Sequence, residues 1–257
     1  MKPDGDHEVE SNGPRVIGSS TAYRHVSDGL ARLRRHDFVY LDAPTRALSI
    51  AGPHDAATRS AVSMWIDAGR PFVVRQQTGT DADCVALGLV LAPSDAKRRI
   101  ALTVKRRFVM RVAAPPALHD VIDCVPPVWQ KTLASLDRRS ASIGVAFRVF
   151  GSVAWQALTG LRYVAASSDV DLLWEPHCDA ELARGVALLE QWQHDASMRA
   201  DCEIVFPGGD AVAWREWTGR SSHSRILVKC LDGTTMRSGH ALLRTLEPAD
   251  IDACLAG

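Results

Sequence analysis

Between Val149 and Trp174 the chain reads VFGSVAWQALTGLRYVAASSDVDLLW. Two acids interrupt a run that is otherwise built for a core, and a Gly-Ser pair stands just ahead of a short apolar segment. Side chains alternate across a strand, so Asp169 and Asp171 project from one face of SDVDLLW while Val170 and Leu172 project from the other. The apolar face requires a core. The acidic face requires something that offsets two neighbouring negative charges. Mg²⁺ is the natural candidate, because it takes oxygen ligands and shares them with substrate phosphates. Gly151 and Ser152 head the segment Val153–Leu158, which reads as a short helix closed near Gly160. Small residues at a helix N-terminus let a phosphate reach the backbone N–H groups, and the Ser152 hydroxyl adds a donor. One end of this unit suits phosphate and the other suits metal, as metal-dependent transfer at phosphorus requires. A lone Asp-x-Asp strand is commonly a solvated face. The conjunction with Gly-Ser is what points to chemistry.

The surrounding pattern is α+β. In the first half, Phe38–Leu41, Pro71–Arg75, Cys84–Leu91 and Ile100–Val112 read as strands, the last folding as two around Lys105-Arg106-Arg107. Asp55–Ala68 has helical spacing and ends at Gly69-Arg70-Pro71. The Ala113–Pro116 break and Pro126-Pro127 bracket a domain boundary. In the second half, Val128–Leu136 reads as a short helix and Val145–Phe150 as a strand. Asp179–Ala196 reads as an amphipathic helix with Leu182, Val186, Leu189 and Trp192 on one face. Cys202–Phe206 and Ala211–Trp217 read as strands joined by a Pro207-Gly208-Gly209-Asp210 hairpin turn. Trp214 and Trp217 would then fall on opposite faces. Arg225–Leu231 is a further strand, and two short helices finish the chain. The division expected is a loose leader 1–20, a β-rich N-terminal α+β domain 21–120, and a second domain 121–257 with a mixed sheet and flanking helices.

Thirty basic and thirty acidic side chains cancel, which argues against an electrostatic nucleic-acid binder. No segment is apolar enough to span a membrane, and the leader lacks a signal-peptide core, so a cytoplasmic protein is expected. The cysteines at 84, 124, 178, 202, 230 and 254 show no C-x-x-C spacing and read as reduced thiols. His177-Cys178 has no second ligand pair at a zinc spacing.

The order strand, Gly-Ser, helix, strand with Asp-x-Asp resembles the polymerase-β-like nucleotidyltransferase superfamily. The resemblance implies a third carboxylate on the strand after the next helix. Glu203 in DCEIVF takes that place, with Asp201 on the same face as the second choice and Glu216 as the third. The loop LRYVAASS is longer than usual there and suggests an enlarged substrate pocket. Trp155-Gln156-x-Leu158-Thr159-Gly160, EIVFPGGDAVAWREW and RILVKCLDG, with GRPFVVRQ and KRRIALTVKRR in the first half, further resemble the malonate decarboxylase holo-acyl-carrier-protein synthase family, the phosphoribosyl-dephospho-CoA transferases. That resemblance implies a donor, 2'-(5''-triphosphoribosyl)-3'-dephospho-CoA, and an acceptor, a serine of the apo acyl-carrier subunit of malonate decarboxylase. A phosphodiester forms and pyrophosphate leaves. Asp169, Asp171 and Glu203 would hold one or two Mg²⁺ ions and carry catalysis, and Gly151 and Ser152 would grip the triphosphate. Arg215 and Lys229, on strands beside the third carboxylate, are candidate phosphate ligands. The alternatives are a nucleotidyltransferase of the same superfamily that uses an NTP with a small-molecule or RNA acceptor, and an inactive carrier-binding module.

Some residues are double-edged. Lys97–Arg111 holds seven basic residues and no acid. It is either a solvated strand face or a docking surface for an acidic carrier or polyanionic donor, which Arg70 and Arg75 could join. Trp155 is either core or an adenine-stacking ring. His223 is given no role.

Overall fold

The structure, a computed structural model, describes residues 23–24, 33–52, 55–93, 98–165, 167–196, 198–219 and 225–247. The expected leader, Lys97, His223 and Cys254 lie outside these residues. The first half forms a seven-stranded sheet of β1 (Tyr23–Arg24), β2 (Phe38–Leu41), β3 (Ser49–Ile50), β4 (Phe72–Val74), β5 (Cys84–Val90), β6 (Arg99–Lys105) and β7 (Val109–Ala113). Its order is β1-β7-β2-β4-β5-β6-β3, and every pair is antiparallel. The expected split of Ile100–Val112 falls at Arg106–Phe108, a single tight turn. Helix α1 (Ala56–Asp67) starts where Asp55 Oδ1 accepts from Thr58 N at 2.8 Å, an N-cap that satisfies one orphan donor. It buries Val62 and Trp65 on one face, and Trp65 Nε1 donates to the Pro71 carbonyl at 2.9 Å.

The second half contains α2 (Leu118–Val121), α3 (Pro127–Ala141), β8 (Arg148–Val149), α4 (Gly151–Thr159), β9 (Val170–Trp174), α5 (Asp179–Asp195), β10 (Ala200–Val205), β11 (Ala211–Ala213), α6 (Trp214–Thr218), β12 (Arg225–Cys230), β13 (Gly233–Ser238) and α7 (Gly239–Leu243). The sheet order is β13-β12-β11-β10-β9-β8. Only β9 and β10 run parallel, with α5 as the crossover. One face of this pair is apolar: Val170, Leu172 and Trp174 of β9 and Ala200, Cys202 and Ile204 of β10 are all fully buried. Gly185 of α5 lies so close that a Cβ there would overlap the Trp174 ring. The opposite face carries Asp171 and Leu173 from β9, and Asp201 and Glu203 from β10.

Several sequence expectations need correction. Helix α3 runs from Pro127 to Ala141, beyond the expected Leu136, because Pro127 suits the first helical position and Ser140 is still buried. The expected strand Val145–Phe150 pairs only at Arg148–Val149. Ala211–Trp217 is not one strand, since it turns helical at Trp214. Trp214 and Trp217 are therefore three apart on one helical face and both are buried, not on opposite faces. Strand β13 was not expected, although Asp232-Gly233 is a hairpin signal and Gly233 has φ 149°. One helix, α7, follows it among the described residues.

The two sheets share one apolar cluster. Trp155 of α4 sits edge-on to Phe38 and Trp65 of the first half, with ring centroids 5.5 and 5.8 Å apart. It is 4% exposed, which makes it a core residue. Tyr163 stacks on Trp155 and donates to the Val90 carbonyl at 2.7 Å. Gln77 N donates to the Leu231 carbonyl at 2.7 Å, and Thr78 Oγ1 to that of Asp232 at 2.7 Å.

Candidate functional site

The site grows from β9, β10 and the start of α4. In the parallel register Asp171 lies directly beside Asp201, and Leu173 beside Glu203. Gly151 begins α4 at φ 60°, a conformation that favours glycine. A Cβ there would fall inside Asp171 Oδ2. The glycine is needed twice over, for its backbone conformation and for the approach of the acid. Ser152 N–H donates to the Asp171 carboxylate, and Phe150 N–H donates to the Asp171 carbonyl at 3.0 Å. The two ends of the opening motif therefore meet.

Asp171 carries the electrostatic signature of the site. Burial pushes its carboxyl up to about 6, and the neighbouring charges of Asp201, Asp169 and Glu203 add to this, against the Ser152 hydrogen bond. Asp169, just before the strand, is half-exposed, with Arg199 Nε 4.0 Å from its carboxylate. Asp169, Asp171 and Asp201 offer hard oxygen donors beside the N-terminus of α4, a donor set that fits Mg²⁺. They stand farther apart than one ion's ligand shell. Among the described residues, the one trio of candidate ligand atoms within 4.8 Å of one another is Asp81, Asp83 and Cys84, where Lys105 already pairs with Asp83 at 2.6 Å. A cation at the Asp169–Asp171–Asp201 face would have to draw those carboxylates inward.

Glu203, expected as the third carboxylate, is 4% exposed and fully engaged. Its Oε2 meets Arg35 Nη1 at 3.0 Å and His36 Nε2 at 3.1 Å. Its Oε1 meets Lys229 Nζ at 2.8 Å and Arg35 Nη2 at 3.3 Å. Burial alone would raise its pKa. The His36 hydrogen bond and charge, then Arg35 and Lys229, outweigh burial and hold the carboxyl well below the usual range. Asp201 is the acid left open opposite Asp171.

The remaining expected residues separate. Lys229 comes to the site through its pairing beside Ala211. Arg215 lies on α6, not on a strand. Its guanidinium stacks over Trp214 at 4.5 Å and donates to Gln193 Oε1 and the Ala200 carbonyl at 3.0 and 3.1 Å. Glu216, also on α6, is exposed. The loop after α4 packs instead of widening a pocket: Gln156 Oε1 accepts from Tyr163 N and Val164 N at 3.0 and 2.9 Å, and Tyr163 is buried. In the basic segment Arg98 reaches Thr58, Arg106 the Ala82 carbonyl, and Arg111 stacks over Tyr40 at 3.6 Å. Sequence reasoning missed Arg35 and His36. Their only local signal is the basic run Arg34-Arg35-His36 ahead of β2.

A cavity of about 780 Å³ adjoins this face between the two sheets. Its lining includes His36, Leu173, Glu203, Val205, Gly208 and Arg237. It reaches Glu203 and stops short of Asp169, Asp171 and Ser152.

Comparison with known proteins identifies the family. Residues 34–115 match the family model described as the phosphoribosyl-dephospho-CoA transferase MdcG N-terminal domain, and 117–240 match its C-terminal domain. A phosphoribosyl-dephospho-CoA transferase of Xanthomonas campestris pv. campestris (strain 8004) is 40% identical over 211 residues, covering 81% of this chain and 95% of the relative. One from Bradyrhizobium diazoefficiens is 36% identical over 209 residues, 81% of this chain and 92% of the relative. One from Pseudomonas putida is 30% identical over 205 residues, 80% and 93%. No solved structure matches the chain. No helix among the described residues is long and apolar enough to cross a membrane. By these matches over both halves, the chain belongs to the phosphoribosyl-dephospho-CoA transferase family and is an enzyme of the transferase class.

Proposed function

We propose that this enzyme moves the phosphoribosyl-dephospho-CoA group from 2'-(5''-triphosphoribosyl)-3'-dephospho-CoA to a serine of the apo acyl-carrier subunit of malonate decarboxylase. The observation that carries the reading is the meeting of Asp171 with Asp201 on one side and with Gly151-Ser152 on the other. Asp169, Asp171 and Asp201 would hold one or two Mg²⁺ ions, with Asp201 in the place first expected of Glu203. Bound there, Mg²⁺ supplies charge neutralisation at the reacting phosphate and lowers the pKa of the attacking hydroxyl.

The chain's own groups perform the rest. Gly151 lets Asp171 approach the start of α4, and the Ser152 hydroxyl with the N–H groups that follow Ser152 orients the polyphosphate. The acceptor serine oxygen bonds to the α-phosphorus, and the bond from that phosphorus to the β-phosphate oxygen breaks. Pyrophosphate leaves with the electron pair, and the hydroxyl proton passes to the site's carboxylate face and on to water. Positioning and charge stabilisation dominate such a transfer.

Mass spectrometry of the apo carrier subunit after incubation with enzyme, donor and Mg²⁺ tests the reading. The expected result is one added phosphoribosyl-dephospho-CoA per carrier, with release of pyrophosphate. An unmodified carrier, or release of pyrophosphate from ATP in place of this donor, would overturn it in favour of a different nucleotidyltransferase.

A further inference from the structure

The Arg34–Asp37 turn of the first half is built with unusual backbone economy. His36 has φ 69°, the one non-glycine residue with positive φ among the described residues. A left-handed residue with a side chain is strained, and such strain persists where the surroundings enforce it. Here they do. Asp37 Oδ2 accepts from Arg34 N at 2.9 Å, Asp37 N–H donates to the Arg34 carbonyl at 3.2 Å, and His36 N–H donates to the Val74 carbonyl at 3.3 Å. The turn sends both Arg35 and His36 onto Glu203, and it lays the His36 ring 4.2 Å from Phe150, the residue before Gly151.

Two cations on separate elements, Arg35 and Lys229, thus share one buried carboxylate. Without Glu203 they would repel. With it, the group still carries more positive than negative charge, before any contribution from His36. Glu203 takes two of the five N–H donors of Arg35 and one of the three of Lys229, so both keep donor capacity. Glu203 lies two residues along β10 from Asp201, about 7 Å on the same face. A polyphosphate held beside Ser152 would run along this face toward Glu203. The adjoining cavity is lined by Arg35 and Glu203 and does not extend to Asp201.

We propose that Arg35 and Lys229, held side by side on Glu203, bind the pyrophosphate leaving group, so that a turn of the first half completes the active site. Glu203 is then a positioning residue, and the cavity beside it is the space into which pyrophosphate departs. This inference rests on the transfer reaction proposed above.

The test is calorimetric titration of inorganic pyrophosphate, and separately of Mg²⁺, into the full-length chain. Arg35→Gln and Lys229→Met should each weaken pyrophosphate about tenfold, the worth of one charge-assisted contact. Arg35→Lys should recover part of the loss. Glu203→Gln should keep Mg²⁺ affinity within about twofold of the parent while weakening pyrophosphate. Unchanged pyrophosphate affinity in Lys229→Met, whose side chain is 38% exposed, would overturn the proposal. Loss of Mg²⁺ binding in Glu203→Gln would make Glu203 a metal ligand and overturn its positioning role. The two readings fail separately. If pyrophosphate binds as described but no carrier is modified, the reaction is wrong and the anion site stands. If the carrier is modified while the variants bind pyrophosphate normally, the anion site is wrong.

Discussion

Replacing Asp171 by Asn should make the metal-free protein more stable while abolishing transfer. The Asp171 carboxyl titrates near 6 in the fold, against 3.8 for an ordinary aspartate. Below pH 3.8 the group is protonated in both folded and unfolded chains and costs nothing. Between 3.8 and 6 the unfolded chain ionises first, so the fold loses stability as pH rises. Above 6 the loss is complete, at about 3 kcal/mol by linkage. Solvent on the open side of the carboxyl screens this to about 1–2 kcal/mol. Asn keeps the shape and the acceptor for Ser152 N–H but never ionises. In EDTA at pH 8, Asp171→Asn should therefore melt about 2–6 °C above the parent for a chain of this length. At pH 5 the gain should fall to roughly half, since the unfolded aspartate is ionised while most of the folded one is not. Scanning calorimetry at the two pH values measures both quantities. Mg²⁺ should raise the melting temperature of the parent and leave that of the variant unmoved. A variant that is less stable than the parent at pH 8, or whose gain is the same at pH 5, would refute the account of Asp171 as a strained, charge-crowded acid.

Other substitutions test separate parts of the structure. Gly151→Ala drives a methyl into the Asp171 carboxylate and places alanine at φ 60°, so it should reduce carrier modification by about a hundredfold and lower stability by about 1–3 kcal/mol; both are read by mass spectrometry and calorimetry. Gly185→Ala overlaps the Trp174 ring on the apolar side of β9 and should cost about 1–3 kcal/mol by overpacking, with pyrophosphate affinity retained in the folded fraction. Trp155→Ala removes the ring that meets Phe38, Trp65 and Tyr163 and should cost about 3–5 kcal/mol, seen as a lower denaturant midpoint. Asp55→Ala removes the α1 cap, far from the site, and should cost about 0.5–2 kcal/mol with unchanged transfer.

The parts of this molecule that were legible in the sequence are those set by local periodicity. β2, α1, β5 and α5 follow from the spacing of their apolar residues, and the end of α4 from Gly160, which has φ 71°. The segment Ala211–Trp217 misled because AVAWREW alternates like a strand, whereas the i, i+3 pair Trp214 and Trp217 packs better on one helical turn. At the candidate site, the approach of Asp171 to Gly151-Ser152 was legible because both belong to one short motif. Glu203 and Asp201 share a face in the sequence pattern, and only the partners seen in the fold, Arg35, His36 and Lys229 on Glu203, distinguish them. Arg35 stands 168 residues from Glu203, and no local pattern announces a contact of that range.

The single parallel pair in the second sheet also sets when the site comes into being. A hairpin can zip as soon as its turn forms, but β9 and β10 can meet only after the intervening α5 has carried the chain back. Asp171 and Asp201 therefore become neighbours through a crossover, and Arg35 and Lys229 converge only when the beginning and the end of the described chain have found each other. Contacts of such range form slowly and late. During synthesis Asp171 and Asp201 are joined to the chain before Lys229, and Arg35 precedes all three. Arg35, the acids and Glu203 are thus in the chain before the second cation that shares Glu203, and the proposed site is complete only with the last strands.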